Sequence, residues 1–264
     1  MHRVLARYAW DADAVRDDLR RFVSTELGDP AGILVVDETG VPKQGSHSVG
    51  VARQYCGTLG KIATCQIGVF LGYASPRGHA GIDRARDLPQ AWLENDDRRR
   101  TVGIPVEVTA RTKPQLALVM IERALERGVP ARWVVADEVY GSDGKLRRSL
   151  EARGQAYVLA VRGNEQPSIW PPYGLPGQMA MTDIVATVPG DAWQRLSCGE
   201  GPQGPRVYDW ACVPLRPALR DGWIHATLIR RHPERPAEVP IPGLRAHRHG
   251  RGRDGASRWD AVDD

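Results

Sequence analysis

The sequence has no long hydrophobic run, few cysteines and almost no excess charge of either sign, and each shortage excludes something. No stretch approaches the ~18 consecutive apolar residues of a membrane span. Residues 1–10 contain no apolar core of signal-peptide type. The four cysteines, Cys56, Cys65, Cys198 and Cys212, lack the close pairing of a zinc site and any secretory context. They read as reduced, semi-buried small hydrophobes in a cytoplasm. Membrane, secreted and collagen-like classes are excluded. The 36 Lys+Arg against 32 Asp+Glu leave a net charge of +4, which permits a nucleic-acid partner without requiring one. Lysine is scarce: only Lys43, Lys61, Lys113 and Lys145 occur, so 36 − 4 = 32 of the basic residues are arginines. Arginine suits bidentate phosphate contacts, but this surplus mostly reflects GC-rich codons. Gly40-Val41-Pro42-Lys43-Gln44-Gly45-Ser46 places its Gly and Lys in the wrong order for a phosphate loop, so nucleotide hydrolysis is set aside.

What remains is an ordinary soluble composition, 264 residues long, 42% apolar and 26% charged. Val15, Leu19, Phe22, Val23 and Leu27 recur at helical spacing and predict a helix over 11–27 that ends at Gly28. Ile33-Leu34-Val35-Val36 is short, unbroken and β-branched, the pattern of a buried strand, and it closes on Asp37-Glu38. Further strands are expected over Ser48–Tyr55 and Ile62–Tyr73, with a turn at Gly57–Gly60. Thr112 as N-cap and Pro114 in the first turn announce a second helix, which runs to Gly128. Trp133-Val134-Val135-Ala136 is the next strand and again closes on an acid pair, Asp137-Glu138. A helix over Lys145–Ala152 and a strand at Tyr157–Val161 complete the order β-β-β-α-β-α-β, an α/β mixed sheet.

Beyond Arg162, Pro and Gly break the pattern, and strands are expected at Tyr208–Leu215 and Trp223–Arg230. The division is an N-terminal helical segment (1–30), a core (31–161), a β-rich insertion (162–231) and a tail (232–264). Only nine of the 33 tail residues are apolar, so the tail is expected to be disordered.

The two acidic strand ends carry the chemistry. A carboxylate at the mouth of a hydrophobic strand is costly to desolvate unless a cation accompanies it. Strands one and four are natural neighbours, so Asp37 and Asp137 converge at one edge, positioned to share Mg²⁺ or Mn²⁺. Alternation along a strand predicts that Glu38 and Glu138 turn away from that metal. Acids at strand ends also serve as caps for the next turn, and this reading stays open beside the metal site. Lys43, in the loop after the Asp37 strand, is expected beside the site and able to meet a phosphate. Arg53 and Lys61 are expected to extend a diffuse basic face toward DNA.

Gly32-Ile-Leu-Val-Val-Asp37-Glu-Thr-Gly40, then Lys43-Gln-Gly45 and Ser48-Val-Gly-Val-Ala-Arg53-Gln-Tyr55, resemble bacterial insertion-sequence transposases of the DDE superfamily. So do Cys65-Gln-Ile-Gly-Val-Phe70, Tyr73-Ala-Ser-Pro-Arg-Gly78, Trp133-Val-Val-Ala-Asp137-Glu-Val-Tyr-Gly141 and Tyr157-Val-Leu-Ala-Val161. The matching motifs span roughly residues 10–230 in order. The resemblance implies a ribonuclease-H-like core with Asp37 and Asp137 as catalytic, metal-binding aspartates of a two-ion Mg²⁺ or Mn²⁺ site. It implies metal-dependent cleavage and strand transfer of DNA at the terminal repeats of an insertion sequence, in the cytoplasm, on the nucleoid when bound. It also implies a third acid, a Glu on a late helix, which no segment here provides; Asp263 is the nearest stand-in. The chain is therefore expected to be a fragment, read out of frame from Val239 onward, and catalytically defective. The alternative is a non-catalytic remnant that binds DNA or hetero-oligomerises with intact transposase and inhibits it.

Overall fold

The computed structural model describes residues 10–170, 176–201, 204–215, 222–234 and 241–248. Helix α1, Ala12–Glu26, begins at Asp11, whose carboxylate accepts from the amides of Asp13 and Ala14 at 3.0 and 2.9 Å. Those bonds satisfy donors that the first helical turn leaves open. Four strands follow: β1 Ile33–Pro42, β2 Ala52–Cys56, β3 Lys61–Ser75 and β4 Gly78–Arg86. Two short helices, α2 Gln90–Leu93 and α3 Asp96–Val102, lead to α4, Lys113–Glu126. Then come β5 Trp133–Ala136, α5 Glu138–Gly141, α6 Gly144–Ala152 and β6 Ala156–Ala160. The remainder is β7 Ser168–Ile169, β8 Gly177–Gln178, α7 Met181–Ala186, β9 Gln194–Gly201, β10 Gly204–Pro214, β11 Trp223–Arg231 and β12 Ile241–Arg248.

Ten strands form one mixed sheet in the order β2-β3-β1-β5-β6-β12-β11-β10-β9, with β4 also paired to β3. β1, β5 and β6 are mutually parallel, and the other pairings are antiparallel. Leu34 and Val36 of β1 face the same way as Val69, Leu71 and Tyr73 of β3 and Leu159 of β6, all buried. Ala117, Met120, Ile121 and Ala124 of α4, with Leu146 and Leu150 of α6, close that face into one core. The core continues through Trp223, Leu244 and Ala246.

Three expectations are corrected. The meander has four strands before the long helix α4, because β4 also pairs with β3. Its sequence, Gly-His-Ala-Gly-Ile-Asp-Arg-Ala-Arg, hides the alternation, since a register shift at Leu71/Gly72 lets the consecutive Ile82 and Asp83 both be buried. Second, β9, β10 and β11 of the expected insertion extend the same sheet as the core. Third, residues 241–248 of the expected disordered tail form β12, inserted between β6 and β11. A strand hydrogen-bonded along both edges needs few apolar side chains of its own, and Leu244 and Ala246 supply them. Residues 235–240 and 249–264 lie outside the described residues.

Candidate metal centre

The site is created by a difference in strand length. β1 and β5 run side by side in register up to the pair Val36 and Ala136. There β5 stops, while β1 continues to Pro42 against β3. Asp37 is therefore the first residue of β1 beyond the end of β5, and Asp137 is the first residue after it. Asp137 caps α5, its carboxylate accepting from the amide of Val139 at 2.9 Å. Gly141 lets this turn lie against β6, because a Cβ there would sit 1.8 Å from the carbonyl oxygen of Ala160.

The carboxylates of Asp37, Glu38 and Asp137 each offer an oxygen, and these oxygens all lie within 4.8 Å of one another. Glu138, in the first turn of α5 rather than on a strand, points outward to Arg162 at 3.7 Å. Glu38 does not, and this corrects the sequence reading. Its side chain leaves β1 on the buried face, as expected, but no strand backbone flanks that edge once β5 has ended. The glutamate is long enough to reach the Asp137 side. There Glu38 Oε1 accepts from Lys113 Nζ, and Oε2 accepts from the hydroxyl of Tyr140 at 2.7 Å.

Burial raises the Asp137 carboxyl above the usual carboxylate range, the amide of Val139 pulls it back, and the charges of Glu38 and Asp37 raise it further. Asp87, just after β4, is also raised by burial, offset by Lys113 and reinforced by Glu38. Tyr140 is pushed up by burial and by its bond to Glu38, and it stays a neutral donor. The clustered oxygens of Asp37 and Asp137, with Glu38 held beside them, suit a hard divalent cation such as Mg²⁺ or Mn²⁺, since such ions take oxygen ligands. The donor set fits the expected group.

Lys43, Arg53 and Lys61 are placed away from the carboxylates. Lys43 follows β1, six residues past Asp37, roughly 20 Å along an extended strand. Arg53 and Lys61 lie on β2 and at the start of β3, paired with the same distal half of the β1–β3 ribbon. The physical reason is that β1 outlasts its apolar run, held by β3 alone. Asp263 lies outside the described residues. Sequence reasoning missed Glu38, Lys113 and Tyr140. A signal existed in the Tyr of Asp137-Glu-Val-Tyr140-Gly and in a lysine placed directly after the Thr112 cap.

Arg98-Arg99-Arg100 forms the middle of α3 and is committed locally. Arg98 stacks 3.3 Å over the Trp92 ring, Arg99 donates to the carbonyls of Leu93, Pro105 and Val108, and Arg100 pairs with Asp97.

Comparison with known proteins identifies the family. Residues 1–181 match the profile of a family described as DDE superfamily endonuclease. Over 177 residues the chain is 30% identical to a protein of Microchaete diplosiphon described as the probable transposase for insertion sequence element IS701. That alignment covers 65% of this chain and 42% of the relative, so the chain spans less than half the length of the curated relative it matches. Among solved structures, the NurA nuclease from Sulfolobus solfataricus aligns over 91% of this chain and 77% of its own, with 10% identity and a TM-score of 0.31.

Proposed function

This chain belongs to the DDE superfamily endonucleases, and from that premise we propose that Asp37 and Asp137 hold Mg²⁺ or Mn²⁺ for strand cleavage and transfer at the ends of an insertion sequence. The observation that carries the reading is the meeting of two aspartates from adjacent parallel strands, their oxygens within 4.8 Å. The order β4-β3-β1-β5-β6, with its last three strands parallel, supports a ribonuclease-H-like core.

A divalent ion held there supplies activation of an attacking oxygen and charge stabilisation at a phosphate. The chain's own residues supply the setting. Asp37 is exposed and Asp137 faces the same edge, open to a DNA strand. Asp137 is kept in place by its bond to the Val139 amide, which leaves its other oxygen for the cation. Lys43, Arg53 and Lys61 occupy the ribbon that projects past the carboxylates and meet the DNA backbone away from the scissile bond. The site works in the cytoplasm, on the nucleoid when DNA is bound.

We propose that the described core by itself is catalytically defective. Among the described residues no α-helix follows Ala186, so none brings a late glutamate to the site. Glu38 does not replace it, because both of its oxygens are engaged by Lys113 and Tyr140. The test is a calorimetric Mn²⁺ titration and a cleavage assay on DNA carrying the element's ends. Mn²⁺ binding that Asp37→Ala and Asp137→Ala each abolish, without cleavage, is the expected result. Absence of Mn²⁺ binding to the wild-type chain overturns the metal reading, and cleavage lost in Asp37→Ala overturns the defect.

A second reading, an inhibitory remnant that joins intact transposase, is favoured by exposed apolar side chains beside the site. Val35 is 37% exposed and Phe70, the register partner of Asp37, is 43% exposed. Co-purification with intact transposase and loss of its cleavage would support that role.

A further inference from the structure

Lys113 stands where elementary helix physics disfavours it. It is the first residue of α4, where the helix dipole repels a cation. The position is nevertheless fixed firmly. Thr112 and Gln115 form a reciprocal capping box, with Gln115 Oε1 accepting from the Thr112 amide at 2.8 Å. Pro114, buried, sets the backbone of the first turn. From this cap the lysine side chain reaches Glu38 of β1, with both side chains about four-fifths buried, at 23% and 19% exposure. Asp87 and Cys65 also lie within its electrostatic reach.

One carboxylate of the Asp37, Glu38 and Asp137 cluster, Glu38, is therefore paired directly with an ammonium. Arg162 faces Glu138, and Lys43, Arg53 and Lys61 lie along the distal ribbon. A close cluster of Asp37, Glu38 and Asp137 would repel itself strongly without a counter-charge. Lys113 supplies one charge from inside the fold, at Glu38, whose carboxylate lies beside the aspartate oxygens that a divalent ion would use.

We propose that Lys113 is a built-in counter-cation of this centre, a positioning residue that clamps Glu38 with the help of Tyr140 and competes electrostatically with the divalent ion for the carboxylates. This rests on the metal reading of Asp37 and Asp137. It assigns Glu38 to the protein side of the site: the glutamate is held by Lys113 and Tyr140 and is not released to the ion while the ammonium stays. The lysine keeps the acidic mouth folded when the ion is absent, and it weakens the ion's affinity as a consequence.

The experiment is a Mn²⁺ titration of the full chain, followed by calorimetry and by electron paramagnetic resonance, together with a thermal melt in chelator. Lys113→Met is expected to bind Mn²⁺ roughly tenfold or more tightly than wild type, because a nearby positive charge is gone. It is also expected to melt at lower temperature in chelator and to gain more from added Mn²⁺. Lys113→Arg keeps the charge and should restore affinity to within about threefold of wild type, an interval small beside the effect of a lost charge. Tyr140→Phe removes the other half of the clamp without changing charge and should likewise stay within about threefold, which separates an electrostatic effect from simple loosening. Wild type that binds Mn²⁺ while Lys113→Met binds it equally or more weakly overturns the counter-cation role and leaves the metal reading standing. If Lys113→Met does not fold, Lys113→Gln is titrated by the same criterion. If neither wild type nor variant binds Mn²⁺, the metal reading itself falls and the competition falls with it.

Discussion

The hydroxyl of Tyr140 donates to Oε2 of Glu38 at 2.7 Å, joining segments 102 residues apart across the mouth of the sheet. Tyr140 has no exposed surface, so the bond forms in a region of low dielectric and its acceptor carries a charge. Bonds of this kind contribute about 1.5–3 kcal/mol, and removal of the donor leaves part of a carboxylate without a partner. Tyr140→Phe keeps the ring in the core and deletes only that donor. A loss of about 1.5–3 kcal/mol in urea unfolding is expected, and an unchanged midpoint would show that the hydroxyl contributes nothing.

Asp137 yields a prediction about pH. Its folded pKa lies above its unfolded value, raised by burial and by the neighbouring acids. The folded state then holds the proton more tightly than the unfolded chain. Stability falls as pH rises from the unfolded carboxylate range through the raised folded value, and the penalty is fully present above it. Asp137→Asn removes the charge yet can still accept from the Val139 amide. In chelator the variant should be more stable than wild type at neutral pH, with the gap closing as the solution is acidified below the ordinary Asp range. Melting curves from pH 3 to 8 decide it, and a variant less stable than wild type across that range would contradict the assignment.

The projecting ribbon is tested by salt. Each phosphate contact releases counterions and adds about 0.9 to the slope of log affinity against log salt. Replacing Arg53 and Lys61 with Gln should lower the slope by up to about 2, while Mn²⁺ binding at Asp37 and Asp137 stays as in wild type. Equal slopes would remove this ribbon from the DNA interface.

How much of this was readable follows from which forces act locally. α1, β3, β5, α6 and β6 were legible, and so was the Thr112 cap of α4. An apolar period or a cap is written in neighbouring residues, and the two aspartates were legible because each ends such a run. β4 was not, because its burial depends on a register shift against β3 that no local pattern records. The far half of β1 was not, because Thr39–Pro42 is strand only by virtue of its pairing with Gly68–Cys65. Glu38 was misplaced because alternation describes where a side chain departs from the backbone, and a glutamate at a strand end can reach around it. Lys113 was overlooked because its partner lies 75 residues earlier in the chain.

Asp83 supplies a stability prediction from the strand that sequence reading missed. Its side chain is 1% exposed and accepts from Arg123 at 2.8 Å, with Arg16 at 3.9 Å. Replacing one partner of a buried pair leaves the other charge uncompensated, at a cost of about 3–5 kcal/mol. Asp83→Ala should therefore cost about 3–5 kcal/mol by denaturant titration. The double variant Asp83→Leu with Arg123→Met should recover a large part of that loss, since paired replacement by apolar groups removes the unpaired charge. A single-variant loss below about 1 kcal/mol would mean that the pair is screened as a surface pair is.

The clearest test of the fold concerns β12. Ala246 is fully buried and lies opposite both Tyr157 of β6 and His225 of β11. A carboxylate placed there would be buried beside Tyr157 and His225, whose polar atoms are already engaged with Glu151 of α6. Ala246→Asp should therefore destabilise the chain by more than about 3 kcal/mol, whereas the same change in a disordered tail would cost almost nothing. Leu244→Ala, at a position 7% exposed, should cost about 2–4 kcal/mol through lost burial. Amide exchange gives an independent readout, because the amides of a strand between β6 and β11 should be protected nearly as well as those of β5 and β6. Fast exchange across 243–247 with a harmless Ala246→Asp would return these residues to the disordered tail that their composition suggests. Protected amides with a damaging Ala246→Asp would show that β12 joins β6 to β11, making β9–β11 continuous with the strands that carry Asp37 and Asp137.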